Sequence, residues 1–239
     1  MRASTISGLL PILAASVNAQ SNATGTPITG SLGNASVVET NPPGVVYVAT
    51  LPATAFTKDL YPDGSNVKGQ VSAVASPSGI GVAFKISFSN LPKDTTLGPF
   101  SYHIHVMPVP ADGDCTKTLG HLDPYIRGDK PPCDFNIPQS CQVGDLAGKY
   151  GKITTDPFEA SYVDYFASTV DGLGSFFGNR SIVLHLANST RITCANFVKA
   201  SPGGSGATHT RSAADSQLPT VPLRRQILLR RLNVLLVGD

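Results

Sequence analysis

Short runs of alternating apolar and polar residues, separated by turn-forming clusters, recur through the middle of this 239-residue chain. Residues 81–88 are the clearest example, because apolar side chains at every second position follow the turn cluster 75–79. This period of two gives a β-strand one apolar face. Further strand candidates alternate in the same way or are largely apolar: residues 45–49, 67–75, 100–106, 181–187 and 192–199. With 23 Gly, 19 Pro and no Trp, this part is predicted to be a turn-rich, all-β domain.

Residues 1–19 have the pattern of a secretory signal peptide. A positively charged start precedes an apolar run at residues 8–17, and a small-residue cleavage pattern ends at Ala19. The apolar run is too short to span a membrane, which takes about 20 residues. We therefore predict a secreted, extracellular or cell-surface protein whose mature chain begins near Gln20.

Two further features agree with export. Asn-X-Ser/Thr sequons, which receive N-glycans only on the lumenal side, occur at Asn22, Asn34, Asn179 and Asn188. An exported chain also meets an oxidising environment, so an even count of four cysteines indicates two disulfides and not catalytic thiols. The cysteines are Cys115, Cys133, Cys141 and Cys194, and the residues alone leave three pairings open.

Composition divides the mature chain into three parts. Residues 20–43 are rich in Ser, Thr, Asn, Gly and Pro without apolar periodicity, which predicts a poorly ordered, glycosylated lead-in. Residues 44–200 form one β domain. Residues 201–239 begin as a flexible Gly/Ser linker and end in a basic and apolar tail at 223–237. A lipid-anchor signal interrupted by four Arg, a basic membrane-surface helix and a tail without a defined role all remain open for this end.

The net charge of +2 depends on the tail. The tail from residue 201 onward contributes five Arg and two Asp, whereas residues 20–200 contain twelve Lys or Arg and fourteen Asp or Glu. The folded part is therefore slightly acidic. Nucleic acid is excluded as a partner class, because binding phosphates requires a concentrated basic face.

Residues 107–152, which follow the strand candidate 100–106, contain six Pro and three of the four cysteines. We predict a crosslinked loop here. Loops of this length in compact domains are usually functional.

Four of the five histidines lie inside the predicted β domain. His103 and His105 are two apart on a strand, so both imidazoles lie on one face and can approach one ion. His121 lies in the crosslinked loop, and His185 is a polar ring in an apolar strand that needs a partner there. Imidazole ligands suit Cu, Zn, Fe and Ni alike. A blue-copper centre is disfavoured, because it requires a Cys thiolate and all four cysteines are expected to be oxidised.

The spacing of these residues resembles that of the copper/zinc superoxide dismutase superfamily. The matching elements run in order along residues 44–200: Tyr102-His103-Ile104-His105, Cys115 with His121 six residues later, Gly144-Asp145-Leu146, His185, and Arg191-Ile192-Thr193-Cys194. Each fragment is weak by itself, but their joint spacing is specific. The resemblance implies an eight-stranded antiparallel Greek-key β-sandwich or barrel with long disulfide-crosslinked loops.

The resemblance also implies a role for each matching position. The copper ligands would be His103, His105, His121 and His185. His121 would take up a proton during turnover, Asp145 would orient His121 from the second coordination shell, and Arg191 would guide the anionic substrate. Cys115 would pair with Cys194, which leaves Cys133 to pair with Cys141.

The chain departs from the two-metal pattern of this superfamily in two places. No further histidine lies between His121 and Asp145, and Gln142 stands where a zinc ligand is expected. We therefore predict one copper per chain and no zinc. The segment 186–193 is short, which predicts a copper site open to solvent. Both departures resemble the fungal cell-surface copper-only superoxide dismutases, although a neutral Gln142 cannot titrate as the usual carboxylate would.

We predict a monomeric superoxide dismutase that converts two superoxide anions to O₂ and H₂O₂ by Cu(II)/Cu(I) cycling, with association to the cell wall or a membrane surface through the tail. The alternatives are a copper-binding protein without turnover and a structural cell-surface glycoprotein on the same scaffold.

A hydrolase is disfavoured, because the chain lacks the nucleophile-elbow, zincin and phosphate-loop motifs. His209 in the tail is not expected to be a ligand, and Tyr102 and Tyr150 are expected to pack.

Overall fold

The structure is a computed structural model that describes residues 30–201. The predicted signal peptide, the sequon at Asn22, and the linker and tail beyond Ser201, with His209, lie outside the described residues. Among residues 30–201, no helix has the length and apolar character needed to cross a membrane.

Eight antiparallel strands form two sheets, which confirms the predicted all-β class. The strands are β1 Val46–Thr50, β2 Lys68–Ala75, β3 Val82–Ser89, β4 Ser101–His105, β5 Phe158–Asp164, β6 Ser181–His185, β7 Arg191–Asn196 and β8 Val198–Lys199. The larger sheet has the order β5-β3-β2-β1-β8, and the smaller one has the order β4-β6-β7. The chain leaves the larger sheet after β3, forms β4 and returns as β5, a crossing of the kind found in Greek-key sandwiches.

The core lies between the two sheets and is rich in aromatic rings. In β3 the alternating residues face inward, and Phe84 and Phe88 are almost completely buried. The ring of Phe88 meets that of Tyr102 in β4 edge to face, with centroids 6.4 Å apart. Phe177, which is fully buried, contacts Phe84 at 5.5 Å and Phe197 at 5.0 Å between centroids. Such contacts bring the strand that carries His103 and His105 against the core.

Strand β5 and the short helix α1, Leu146–Tyr150, were not predicted from the sequence. The strand carries the expected alternation, since Phe158, Ala160 and Tyr162 are less exposed than the residues between them. Its inward residues are only half-buried, so the difference in polarity between the two faces of the strand is small. The helix has five residues, fewer than periodicity can detect.

The segment 30–43 departs from the prediction of a poorly ordered lead-in. Ala35, Val38 and Asn41 are buried. The Val38 N–H donates to the Tyr165 carbonyl at 2.8 Å, and Asn41 accepts hydrogen bonds from both the amide and the hydroxyl of Thr169. The packed domain therefore begins before Gly44, and the prediction of disorder is wrong for this segment.

Two disulfides crosslink the long loop between β4 and β5. Cys115 pairs with Cys194 of β7, and Cys133 pairs with Cys141 inside the loop. This is the pairing that the family resemblance implies. The first disulfide fixes the start of the loop to the smaller sheet.

Candidate metal centre

Three elements bring the four histidines of the domain together. His103 and His105 face the same way on β4, and β6 pairs with β4 so that Ser101 lies opposite His185. His121 approaches from the loop and forms an isolated β-bridge with His105. The histidines on the two strands and the one on the loop therefore meet on one face of the smaller sheet.

The four rings form one compact cluster. One ligand nitrogen from each of His103, His105, His121 and His185 lies within 4.8 Å of the others. The Nε2 atoms of His105 and His185 are 3.1 Å apart, and the rings of His103 and His121 have centroids 4.0 Å apart. His105 and His185 are buried, while the side chains of His103 and His121 retain 12% and 20% exposure. The site is thus reachable from one side.

Backbone carbonyls beside two of the rings determine which ring nitrogen is free to bind a metal. His105 Nδ1 lies 2.7 Å from the Leu119 carbonyl, and His185 Nδ1 lies 3.0 Å from the Ser189 carbonyl. A carbonyl oxygen can only accept, so each Nδ1 carries the proton and donates it. The Nε2 lone pairs of the two rings then face each other. Two lone pairs at 3.1 Å need a cation between them, and a metal ion fits this donor set.

His103 has the opposite arrangement. Its Nε2 lies 3.5 Å from the Asp145 carboxylate, and its buried Nδ1 has no hydrogen-bond partner among the described residues. We infer that Nδ1 is the ligand atom of this ring. Asp145, expected beside His121, lies instead beside His103, so the predicted partner of Asp145 is corrected. Asp145 also caps helix α1, because it accepts the Gly148 N–H at 2.8 Å.

Burial keeps the rings of His103, His105 and His185 neutral, which is the form that binds a metal. Desolvation lowers the pKa of His105 to about 3, with the neighbouring His121 and His185 as the next causes. Desolvation also lowers the pKa of His185 to about 4 and holds the pKa of His103 well below its usual 6.5. These three rings can therefore bind a cation at neutral pH without first losing protons.

We expect the metal-free protein to lose stability as the pH falls below about 6.5. In that range the histidines of the unfolded chain bind protons and the buried rings do not. Protonation therefore stabilises the unfolded state relative to the folded one. The window extends from 6.5 down to the depressed values of about 4 and about 3. Urea unfolding between about pH 7 and pH 5, where carboxylates stay ionised, measures the effect. A His185→Ala variant should show a shallower slope, and a free energy of unfolding that is constant over this range would contradict the burial argument.

Arg191 is tied to a ligand through one backbone carbonyl. The Leu119 oxygen accepts from His105 Nδ1 and also from the Arg191 guanidinium at 2.6 Å. Leu119 adopts φ 61° and ψ −142°, a conformation that costs a non-glycine residue about 1–3 kcal/mol. The strained backbone directs this oxygen between the two side chains. The position of Arg191, predicted to guide an anion, is thereby fixed beside the cluster.

Comparison with known proteins agrees with this geometry. No family model matches the chain. The chain is 42% identical over 197 residues to a cell surface Cu-only superoxide dismutase of Arthroderma benhamiae, covering 71% of this chain and 50% of that protein. The solved Cu(II) structure of Candida albicans superoxide dismutase 5 superimposes with a TM-score of 0.57 and 32% identity, covering 70% of this chain and 99% of that one.

The chain belongs to the copper/zinc superoxide dismutase superfamily. A second curated member of this superfamily, the cell surface Cu-only superoxide dismutase 5 of Candida albicans, is 35% identical over 151 residues, 62% of each chain. The chain thus spans between half and about three fifths of the length of these curated relatives.

Gln142 distinguishes this member from the two-metal pattern of the superfamily, in which the residue matching His121 bridges to zinc. His121 Nδ1 donates to Gln142 Oε1 at 2.5 Å, and Gln142 Nε2 donates to the Asp123 carboxylate at 3.1 Å. Asp123 in turn accepts the amides of Arg127 and Gly128. The carboxylate forces the amide oxygen of Gln142 toward His121, so the Nδ1 that would reach a second metal is occupied by a hydrogen bond.

Sequence reasoning identified all four rings, Asp145 and Arg191, but it missed two groups of residues that orient them. The carbonyls of Leu119 and Ser189 belong to the backbone and have no sequence signal. Asp123 has one, since it follows His121 by two residues and could have been paired with Gln142 as an acceptor.

Proposed function

We propose that the domain is a secreted superoxide dismutase whose copper ion is held by His103, His105, His121 and His185. The observation that carries this proposal is the convergence of four imidazole nitrogens within 4.8 Å beside Arg191. Copper, when bound, supplies a one-electron couple with which one superoxide is oxidised to O₂ and a second, taking up two protons, is reduced to H₂O₂. The names of the relatives and the copper in the solved neighbour support this proposal.

Arg191 serves in this proposal as the anion guide. Its guanidinium is permanently charged and is anchored through one nitrogen to the Leu119 carbonyl, so its other donors can meet the oxygen of superoxide or peroxide. Its anchor is shared with His105, which places the positive charge within reach of the ligand cluster. Binding and orientation of the substrate therefore depend on this side chain.

His121 is the ring best placed to exchange a proton. Its side chain is more exposed than that of His103, at 20% against 12%, and His105 and His185 are buried. Gln142 keeps the Nδ1 proton in place, so a mobile proton can be carried at Nε2. The exposed Asp129 carboxylate lies 3.7 Å from His121 Nδ1, on the solvent side of the ring.

We further propose that the site binds no zinc. The hydrogen bond from His121 to Gln142 occupies the nitrogen that a second metal would need, and Gln142 is oriented by Asp123. An amide and one carboxylate are poor zinc ligands compared with imidazole or thiolate. This supports the copper-only form of the enzyme.

Metal analysis and activity of one sample test the proposal. The mature chain is reconstituted with both copper and zinc, its metals are quantified by mass spectrometry, and superoxide consumption is measured on the same sample. We expect one copper, no zinc and fast dismutation. Copper without turnover would support the alternative of a non-catalytic copper-binding protein, absence of copper would support a structural glycoprotein, and stoichiometric zinc would refute the assignment of Gln142.

We expect Arg191→Ala to lower kcat/KM by about tenfold or more while copper stays bound. Electrostatic steering raises the association rates of charged substrates by factors of this size. The dependence of kcat/KM on ionic strength should also become shallower, because the charge that attracts superoxide is gone. Stopped-flow dismutation at several salt concentrations, with copper quantified beside it, measures both effects. Lys199→Ala is the matched control, since it removes one exposed positive charge from the larger sheet. Unchanged kinetics in Arg191→Ala would refute the role of the guanidinium.

The proposed enzyme acts at the cell surface or outside the cell as a monomer. The names of the curated relatives support the location, and the sequons at Asn34, Asn179 and Asn188 are all exposed, as a glycan requires. The fourth sequon, Asn22, and the tail proposed to attach the protein to the wall or membrane lie outside the described residues.

Mass spectrometry of the secreted chain before and after deglycosylation checks the start at Gln20 and the glycans together.

A further inference from the structure

Three backbone hydrogen bonds form a closed ring next to the metal centre. The Ile104 N–H donates to the Gly144 carbonyl at 2.9 Å, the Gly144 N–H donates to the Leu122 carbonyl at 2.8 Å, and the Leu122 N–H donates to the Ile104 carbonyl at 2.8 Å. The ring joins β4, the loop after His121 and the residues that precede helix α1. We call this set of three residues the backbone ring.

Each member of the backbone ring is the neighbour of a residue of the site. Ile104 lies between His103 and His105, Leu122 follows His121, and Gly144 precedes Asp145. The ring therefore fixes the distances between the backbones that carry three ligands and the carboxylate beside His103. The fourth ligand, His185, is held to the same strand by the ladder between β4 and β6.

Gly144 is the member of the ring that allows this close approach. A Cβ at this position would lie 2.2 Å from the Ile104 oxygen and 2.8 Å from the Leu122 nitrogen. Both are backbone atoms of the ring itself, so a side chain could be accommodated only by breaking a hydrogen bond. The requirement for glycine here is one of space.

A buried ion pair holds the same segment from the other side. The Lys149 side chain is completely buried, donates to the Val143 carbonyl at 2.9 Å and contacts the equally buried Asp164 carboxylate at the end of β5. The Tyr150 hydroxyl donates to the same carboxylate oxygen at 3.0 Å. A helix of five residues is unstable alone, so these contacts fasten α1 to the larger sheet. The backbone at Gly144 is thus anchored through the preceding residue, Val143.

We propose that Gly144 is a positioning residue and that the backbone ring holds the ligands in their binding geometry before any metal arrives. This inference rests on the proposed copper site. A site arranged in advance does not have to order three chain segments upon binding, and this raises affinity for the ion. The ring uses only backbone atoms, so the arrangement is independent of the protonation of the rings.

Hydrogen exchange of the unmodified, metal-free chain tests the inference without any variant. Leu122 and Gly144 lie outside the strands, yet their amides should exchange as slowly as those in the middle of β3. Exchange as fast as that of exposed loop amides would overturn the proposal, because the ring would then not persist without metal. The result does not depend on whether the chain dismutates superoxide.

Two glycine variants test the effect on the metal. We expect Gly144→Ala to weaken Cu(II) binding by about 10- to 100-fold, the range seen when groups that orient ligands are lost, and to alter the Cu(II) electron paramagnetic resonance spectrum. Gly120→Ala is the matched control, because Gly120 precedes His121 and a Cβ there would meet nothing within 4 Å. Its affinity and spectrum should be unchanged.

The possible failures are distinguishable. If Gly144→Ala and Gly120→Ala bind Cu(II) with the affinity and spectrum of the unmodified chain, the role of Gly144 is refuted and the proposed enzyme stands. If the unmodified chain binds no copper, the proposed function is refuted. If Gly144→Ala does not fold, the exchange rates of the unmodified chain still decide whether the ring exists before metal binds.

Discussion

His185→Ala should abolish superoxide dismutation and strongly reduce copper occupancy. His185 is 6% exposed, and its Nε2 lies 3.1 Å from that of His105, so the two rings form the buried half of the cluster. Removing one ring deletes a ligand and leaves a cavity beside the other. Even groups that only orient ligands affect metal affinity by about 10- to 100-fold, so we expect a loss of at least 100-fold in affinity and in turnover.

The measurement combines copper analysis, Cu(II) titration and stopped-flow dismutation on purified protein. His105→Ala should behave in the same way, because it removes the facing ring. His209→Ala is the matched control, since it removes the one histidine that is not assigned to the site. Normal turnover in His185→Ala would show that the four-histidine assignment is wrong.

Removing the Cys115–Cys194 disulfide should lower the free energy of unfolding by about 4.5 kcal/mol, the chain-entropy value for a loop of this size. The bond joins residues 79 positions apart, whereas Cys133 and Cys141 are separated by 8. The same model gives about 2.5 kcal/mol for the shorter closure. The double Cys→Ser variants at these two pairs should therefore differ by about 2 kcal/mol in stability.

The longer disulfide also supports the site. It fastens the start of the loop to β7, and this loop carries the Leu119 carbonyl that anchors Arg191 and His105. The variant without it should therefore lose activity before it unfolds. Urea denaturation and dismutation assays on both double variants, with folding checked by circular dichroism, measure these effects. Equal destabilisation by the two variants would contradict the loop-length argument.

The sequence predicted the features of this molecule that depend on side-chain pattern. Residues 81–88 alternate clearly and form β3, and the pair His103 and His105 lies on one face of β4 as expected. Features that depend on tertiary contacts were not predicted. The segment 30–43 has a polar composition typical of disorder, but its few buried groups, Val38 and Asn41 among them, pair with residues more than a hundred positions away.

In the metal centre, too, the side chains were predicted and their tertiary contacts were not. The four rings and Arg191 are recognisable because their joint spacing matches that of the superfamily, and their chemistry belongs to the side chains. The partner of Asp145 could not be predicted, since the cap of α1 turns its carboxylate toward His103 and Gln142 takes the place beside His121. The Lys149–Asp164 contact was equally hidden, because two charged residues in a sequence look like surface residues until the fold buries them.

The backbone ring has a consequence for protein engineering. Every amino acid except proline carries the N–H and C=O groups that form it, so side chains at positions 104 and 122 can be redesigned without removing a hydrogen-bonding group. Among the three positions only 144 must be glycine, whereas 104 and 122 must stay apolar because both side chains are buried in the core. A designer who wished to transplant this metal centre into another scaffold would need to reproduce three converging chain segments and one glycine, and could then choose the ligands separately.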